Sequence, residues 1–269
     1  MKLANIFSRK NRILLRELVV TDFKLRYQGS ALGYLWSVLK PLFLFAILYV
    51  VFDKFLKLGK GVEHYPVYLL TGVVLWSFFV ETTSQGLNSI IKRGGLIKKI
   101  NFPKYIIVIS GTLSAFINLL INFAVVFVFI LFNGVEPSWS ALLVIPLVVE
   151  LYIFALAIAF FLAALNTKYR DVGYLWEILL QAAFYATPII YPMQRVLGEG
   201  KDFIGYILVS PPAQIIQDVR HVLITDDAIT IWQILPLGAT LIPFGVIILF
   251  SLLGVYYFKK NSKYFAEQL

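Results

Sequence analysis

Six runs of almost unbroken hydrocarbon, each bounded by charge or by helix breakers, constrain this chain more than anything else in it. They cover about Leu32–Phe52, Pro66–Ile90, Tyr105–Phe132, Trp139–Leu165, Tyr174–Ile190 and Ile234–Phe258. A helix needs roughly 20 apolar residues to cross a bilayer, and inside hydrocarbon every backbone N–H and C=O must be paired within the protein. The pattern predicts an all-α integral membrane protein with six transmembrane helices. Charged residues make up only 14% of the chain, against about 25% in a soluble domain. The fifth run is the shortest and ends at Thr187-Pro188-Ile-Ile-Tyr-Pro192, where two prolines stop the helix.

The distribution of Lys and Arg predicts orientation. Seventeen lie in the N-terminal segment, the Lys92–Lys104 and Lys168–Arg170 loops and the C-terminal tail; six lie in the alternate loops, and Lys40 lies inside a span. By the positive-inside rule both termini are cytoplasmic, as an even number of spans requires. Met1–Arg26 holds seven Lys/Arg and no uninterrupted apolar core, so a cleaved signal peptide is not expected. The net charge of +9 is explained by topology and anionic membrane lipids better than by nucleic acid. With no cysteine, disulfides and thiolate chemistry are excluded.

Three segments have a character of their own. Residues 1–30 read as a cytoplasmic amphipathic interface helix: Leu14, Leu15, Leu18, Val19 and Leu25 gather on one side, with Arg16, Glu17 and Lys24 opposite. Asp22 and Arg26 intrude on the apolar side, and a solvated basic tail is the alternative. Residues 31–258 form the membrane domain, and 259–269 a cytoplasmic tail. Within the membrane domain, about 193–233 holds two apolar stretches too short to cross, Phe203–Val209 and Ala213–Ile224, separated by a helix break at Ser210-Pro211-Pro212. They read as short external re-entrant helices, or else as an external cap packed on the bundle.

Few residues offer chemistry. No phosphate-binding glycine loop of the Gly-x-x-x-x-Gly-Lys type is present, the histidines His64 and His221 are isolated, and no metal-ligand cluster is expected. Polar residues inside spans are expensive and need a reason. Glu81, Gln85 and Asn88 share one helix face, as do Asn118 and Asn122; a polar passage and interhelical hydrogen bonding both account for them. Lys40 and Glu150 have opposite charge at similar depth, which would suit a pair. The loop Lys92–Lys104 sets Leu96, Ile97, Ile100 and Phe102 among Lys98, Lys99 and Lys104, the mixture of apolar anchors and charged rim that suits a docking surface. Lys168, Arg170 and Asp171 form a shorter counterpart.

Three motifs together resemble a known family. Arg26-Tyr-x-Gly-Ser-x-Leu-Gly-x-Leu-Trp-x-x-x-x-Pro41, Leu96-Ile-Lys-Lys-Ile-x-Phe-Pro-Lys104 and Tyr169-Arg-Asp-Val172 are similar to the permease subunits of polysaccharide-export ABC transporters of the type-2 exporter class, which move lipid-linked O-antigen or teichoic acid. The resemblance implies a multi-pass protein of the bacterial cytoplasmic (inner) membrane. It implies a homodimer whose two copies each pair with a separate ATP-binding subunit carrying ATP and magnesium, and no cofactor on this chain. It implies that the ATPase docks on the N-terminal helix, including Arg16 and Lys24, on the loop Leu96, Ile97, Lys98, Lys99, Ile100, Phe102 and Lys104, and on Lys168, Arg170 and Asp171. The first, second and fifth helices would line a channel gated outside by Pro188–Ile224, with Gly29 and Gly33 as hinges.

Aromatic rings stack on sugar faces while leaving hydroxyls in water. Tyr34, Trp36, Trp76, Phe79, Phe184 and Tyr185, with Glu81 and Gln85, are the expected channel and substrate residues; an interfacial aromatic belt is the alternative account of the rings. Rival readings are an exporter of a drug or lipid on the same architecture, an embedded enzyme of lipid-linked sugar metabolism, and a channel or scaffold without an energised partner. An enzyme would need clustered catalytic acids or histidines, and the scattered acids here form no such cluster.

Overall fold

The computed structural model describes residues 8–27, 29–136, 138–196 and 201–269, and the described residues are predominantly helical, with no strand among them. Residues 1–7 of the expected interface segment, Gln28, Pro137 and residues 197–200 lie outside the described residues, as do the side chains of Arg26, Tyr27, Arg195 and residues 201–203. The order is α1 (Arg9–Tyr27), α2 (Trp36–Leu48, continued by a wider π-helical stretch Tyr49–Phe55), α3 (Tyr65–Lys92), α4 (Gly94–Lys99) and α5 (Tyr105–Phe132). Next come α6 (Val144–Lys168, entered through a tight turn at Trp139–Leu143) and α7 (Val172–Ala186). Five shorter helices follow: α8 (Met193–Val196), α9 (Lys201–Leu208), α10 (Pro211–Leu223), α11 (Ile231–Ile234) and α12 (Leu237–Thr240). The chain closes with α13 (Ile242–Asn261) and α14 (Phe265–Gln268).

Among the described residues, five stretches are long and apolar enough to cross a membrane: Gly33–Phe55, Tyr65–Lys92, Tyr105–Phe132, Trp139–Lys168 and Leu237–Asn261. The protein is a multi-pass membrane protein. The remaining expected span is α7, which has 15 residues; at 1.5 Å per residue it reaches about 22 Å, short of a hydrocarbon core of about 30 Å. Pro188 sets its end, because a residue preceding proline avoids the helical region, and Thr187 is extended.

Helix α3 is the centre of the bundle. Of its apolar window 78% is buried, against 22–33% for the other four spans. That position explains its composition: its neighbours are helices rather than lipid, so Thr71, Thr82, Thr83 and Glu81 are tolerated on it. Helices α5 and α6 flank it, and α13 packs on α6. Gly86 of α3 meets Ala159 of α6, and Gly254 of α13 meets the Ala157 carbonyl; a Cβ at either glycine would collide. Small residues thus let three helices approach closely. At one end of the bundle a second buried cluster joins Leu18 of α1, Ile97 of α4, Phe102, Phe258 of α13 and Phe265 of α14. At the opposite end α10 begins at Pro211 after an extended Ser210, with every residue from Pro211 to Arg220 buried against the bundle.

Candidate functional site

Pro41 lies inside α2 and has no N–H, so the Ser37 carbonyl, four residues earlier, loses its helical donor. Asn122 of α5 replaces it, donating from Nδ2 to Ser37 O at 3.1 Å and to Asn118 O at 2.8 Å. Asn118 Nδ2 in turn donates to Glu81 Oε2 of α3 at 2.7 Å. Three helices are sewn together by this polar chain, which gives the asparagines an interhelical role. Helix α7 joins them where Trp176 Nε1 donates to Thr83 Oγ1 at 3.2 Å.

Between α2, α3, α5 and α7 lies an open groove of about 1050 Å³. Lys40, Glu81, Gln85, Asn88, Lys92 and Glu177 give it a charged and polar stripe, while Trp36, Phe184 and Tyr185 supply aromatic surface and the buried Trp76 backs them. Trp76 and Phe184 stand 6.2 Å apart between ring centres, and Phe184 and Tyr185 5.3 Å apart in edge-to-face contact. Six of the eight residues singled out for a channel therefore share one groove. The other two do not line it: Phe79 turns into the core and stacks on Phe154 at 5.9 Å, and Tyr34 stacks on Phe23 of α1 at 5.2 Å. Lys40 and Glu150 form no ion pair among the described residues; Lys40 faces the groove, whereas Glu150 lies beside Asp218 of α10.

At the α4 end, Asp22 of α1 pairs with Arg93, the residue that caps α4, and accepts from Ser110 Oγ of α5 at 3.2 Å. This explains the acid on the apolar side of α1: it faces a basic partner rather than hydrocarbon. Helix α4 turns Ile97 inward, Phe102 is buried beside it, and Leu96 is half-buried. Lys98, Lys99 and Ile100 remain exposed, Ile100 at 52%. Lys168, Arg170 and Asp171 are exposed, as are Arg16 and Lys24 on α1, and Lys104 is half-buried. Arg16 also borders a cleft between α1 and Leu113 of α5. In the bend between α1 and α2, Gly29 and Gly33 have φ of +80° and +50°, with nothing near enough to hinder them. Those left-handed conformations favour glycine.

At the α10 end one side chain does most of the joining. Arg220 is fully buried. It donates from Nε to Tyr68 O at 3.0 Å, from Nη2 to Ile189 O at 2.8 Å, and from Nη1 to Gln217 Oε1 at 2.9 Å and to Pro188 O. Its guanidinium centre stands 3.5 Å over the Tyr68 ring. Gly72 leaves the room that the guanidinium fills. Burial presses its pKa downward, opposed by Tyr68 and Tyr65. Asp218, two residues earlier and so on the other side of α10, is pushed up to about 6 by burial, with Gln214 and His221 pulling it back. The sequence placed Arg220 in the short external apolar stretch Ala213–Ile224 but gave it no partner, and gave none to Asp22 and Arg93. The available signals were Pro211-Pro212 opening a helix ahead of Arg220, and the acid misplaced on the apolar stripe of α1.

Residues 13–224, from α1 through α10, match the family described as ABC-2 type transporter. The chain belongs to that family. Among similar proteins of known role, an O-antigen export system permease protein RfbA of Klebsiella pneumoniae is 34% identical over 176 residues, covering 65% of this chain and 67% of that protein. A protein of the same name from Myxococcus xanthus is 30% identical over 70% of this chain and 72% of its own length. The polysialic acid transport protein KpsM of Escherichia coli is 20% identical over 78% of this chain and 81% of its own. In this ABC-2 family member the matched region contains the groove, α4 and Arg220, while α13 and α14 follow it.

Proposed function

We propose that this chain is the membrane permease of an ATP-driven exporter that carries lipid-linked polysaccharide of the O-antigen or teichoic acid type across the cytoplasmic membrane. The groove is the observation that supports this most. Its aromatic surface suits sugar faces and its polar stripe suits hydroxyls, on a chain whose relatives are named as O-antigen export permeases. Both termini and α4 face the cytoplasm, as the shared cluster of α1, α4 and α14 supports, with α7 and the segment after it making the sixth crossing and α9 to α12 facing outside. Two copies bring their grooves together, so that α2, α3 and α7 of each line one channel, with the segment 188–224 at its exit and the Gly29–Gly33 bend as hinge. ATP and magnesium are held by a separate subunit that docks on the exposed Lys98, Lys99 and Ile100, on Lys24 and Arg16 of α1, and through a smaller contact on Lys168, Arg170 and Asp171. Ile97, Phe102 and Leu96 support that surface from within.

The test has two parts. Lys98→Glu with Lys99→Glu is expected to abolish copurification of the ATP-binding subunit while the permease stays folded in membranes; a complex of unchanged stoichiometry and activity contradicts the docking surface. In the reconstituted complex, lipid-linked glycan is expected to stimulate ATP hydrolysis, and replacement of the exposed groove ring, Tyr185→Ala, to remove that stimulation. Stimulation by amphipathic drugs but not by glycan would overturn the substrate class.

A further inference from the structure

Helix α4 has only 6 residues, far fewer than the dozen or so at which an isolated helix becomes marginally stable. Its orientation must therefore come from what it rests on. Its N-terminal end is fixed by the pairing of Arg93 with Asp22 of α1. Its underside rests on α14 and the residue that follows it. Phe265 of α14 is 0% exposed and belongs to the cluster that holds Ile97 of α4. The Leu269 side chain lies over the Gly94 backbone, 3.5 Å from where a Cβ would stand. Phe265 also meets Phe258 of α13 edge-on at 5.3 Å, and Phe258 meets Phe160 of α6 at 5.0 Å. Phe265, which shares a buried cluster with Ile97 of α4, thus begins a run of aromatic contacts to two of the long helices, α13 and α6, to which the chain does not connect α4 directly.

We infer that Phe265 is a positioning residue: it sets the angle of α4 and passes displacement of α4 into α13 and α6. This rests on the proposed docking of an ATP-binding subunit at α4, but the support of α4 by α14 stands on contacts within this chain. Close-packed aromatics transmit displacement because their contacts have little slack. Push or tilt at Lys98 and Lys99 then reaches the α3–α6–α13 core through Phe265 as well as through the covalent links to α3 and α5. Replacing Phe265 by alanine would leave the exposed surface of α4 chemically unchanged and remove its support.

Two measurements on the full-length protein test this. On the purified permease alone, hydrogen exchange of the amides in 94–100 is expected to accelerate about tenfold or more in Phe265→Ala, to a smaller degree in Leu269→Ala, and little in Phe265→Leu. On the assembled complex, Phe265→Ala is expected to retain the ATP-binding subunit and its hydrolysis while glycan exported per ATP falls several-fold, with Phe265→Leu restoring most of it. Unchanged exchange in 94–100 would overturn the support itself. Accelerated exchange with an unchanged export-to-hydrolysis ratio would overturn the transmission. If Phe265→Ala does not fold, Leu269→Ala supplies the same comparisons, since it loosens only the contact over Gly94. Loss of the ATP-binding subunit from Lys98→Glu, Lys99→Glu but not from Phe265→Ala separates docking from support.

Discussion

Replacing Arg220 is expected to loosen the joint between α10, α3 and the break that ends α7. In Arg220→Met the carbonyls of Pro188 and Ile189, which lie outside any helix, lose their donors. Each buried orphan costs about 1–3 kcal/mol, and the desolvated cation–π contact with Tyr68 about 2 more. Methionine is spared the desolvation cost that the buried guanidinium bears, which offsets part of this and leaves a net loss of roughly 3–5 kcal/mol. Arg220→Lys should lose nearly as much, because an ammonium on a shorter stem cannot reach three carbonyls in a fork. Gly72→Ala probes the same contact from α3, since its Cβ would enter the space of the guanidinium. It should be destabilising alone and close to neutral on Arg220→Met, a non-additivity that distant sites do not show. Thermal unfolding of the detergent-solubilised protein, followed by tryptophan fluorescence, measures all four variants. Arg220→Lys within about 1 kcal/mol of the parent, or strict additivity with Gly72→Ala, would refute the reasoning.

Two further perturbations follow from the same kind of bond count. Asn122→Ala should destabilise by about 1–3 kcal/mol by orphaning Ser37 O; adding Pro41→Ala should recover much of the loss by restoring the helical donor, and a double variant worse than either single would contradict this. Asp218 titrates near 6 in the fold, raised by burial above its ordinary value of 3.8. A raised carboxyl favours the folded state when protonated, so its contribution is fully present below about pH 4 and is lost as pH climbs through about 6, a change of about 3 kcal/mol. Asp218→Asn should flatten that part of the stability profile and gain most above about pH 6; an unchanged profile by thermal unfolding between about pH 4 and pH 7 would contradict it.

Hydrophobic periodicity and helix breakers made much of the architecture legible, because both are local. Long apolar runs, the break at Ser210-Pro211-Pro212 and the amphipathic face of α1 depend on neighbours in sequence, and each marks a helix or helix end in the fold. Even the centrality of α3 was written in its composition, since only a helix shielded from lipid can carry Thr82, Thr83 and Glu81 cheaply. What the sequence did not disclose were partners. A polar residue at membrane depth announces that it needs a bond, but not where the bond lies. Asp22 finds Arg93 across 71 residues and Arg220 finds Tyr68 O across 152. Charge complementarity suggested Lys40 for Glu150, yet depth fixes only one coordinate of three, and rotation about the helix axes sends Lys40 to the groove and Glu150 to α10.

The same limit explains α4. Ile97, Ile100 and Phe102 are equally apolar, and as letters in a loop they look equally available to a partner. The fold divides them: Ile97 and Phe102 complete a core with Phe265, and Ile100 stays outside with Lys98 and Lys99. The division follows from α14, which follows α4 by more than 160 residues and supplies the apolar surface that a 6-residue helix lacks. The part of the proposed docking surface that α4 and Ile100 contribute, two lysines and one isoleucine, is small, and so would transmit force only if it is rigidly backed. Its reach into the bundle therefore depends on residues that no binding partner touches.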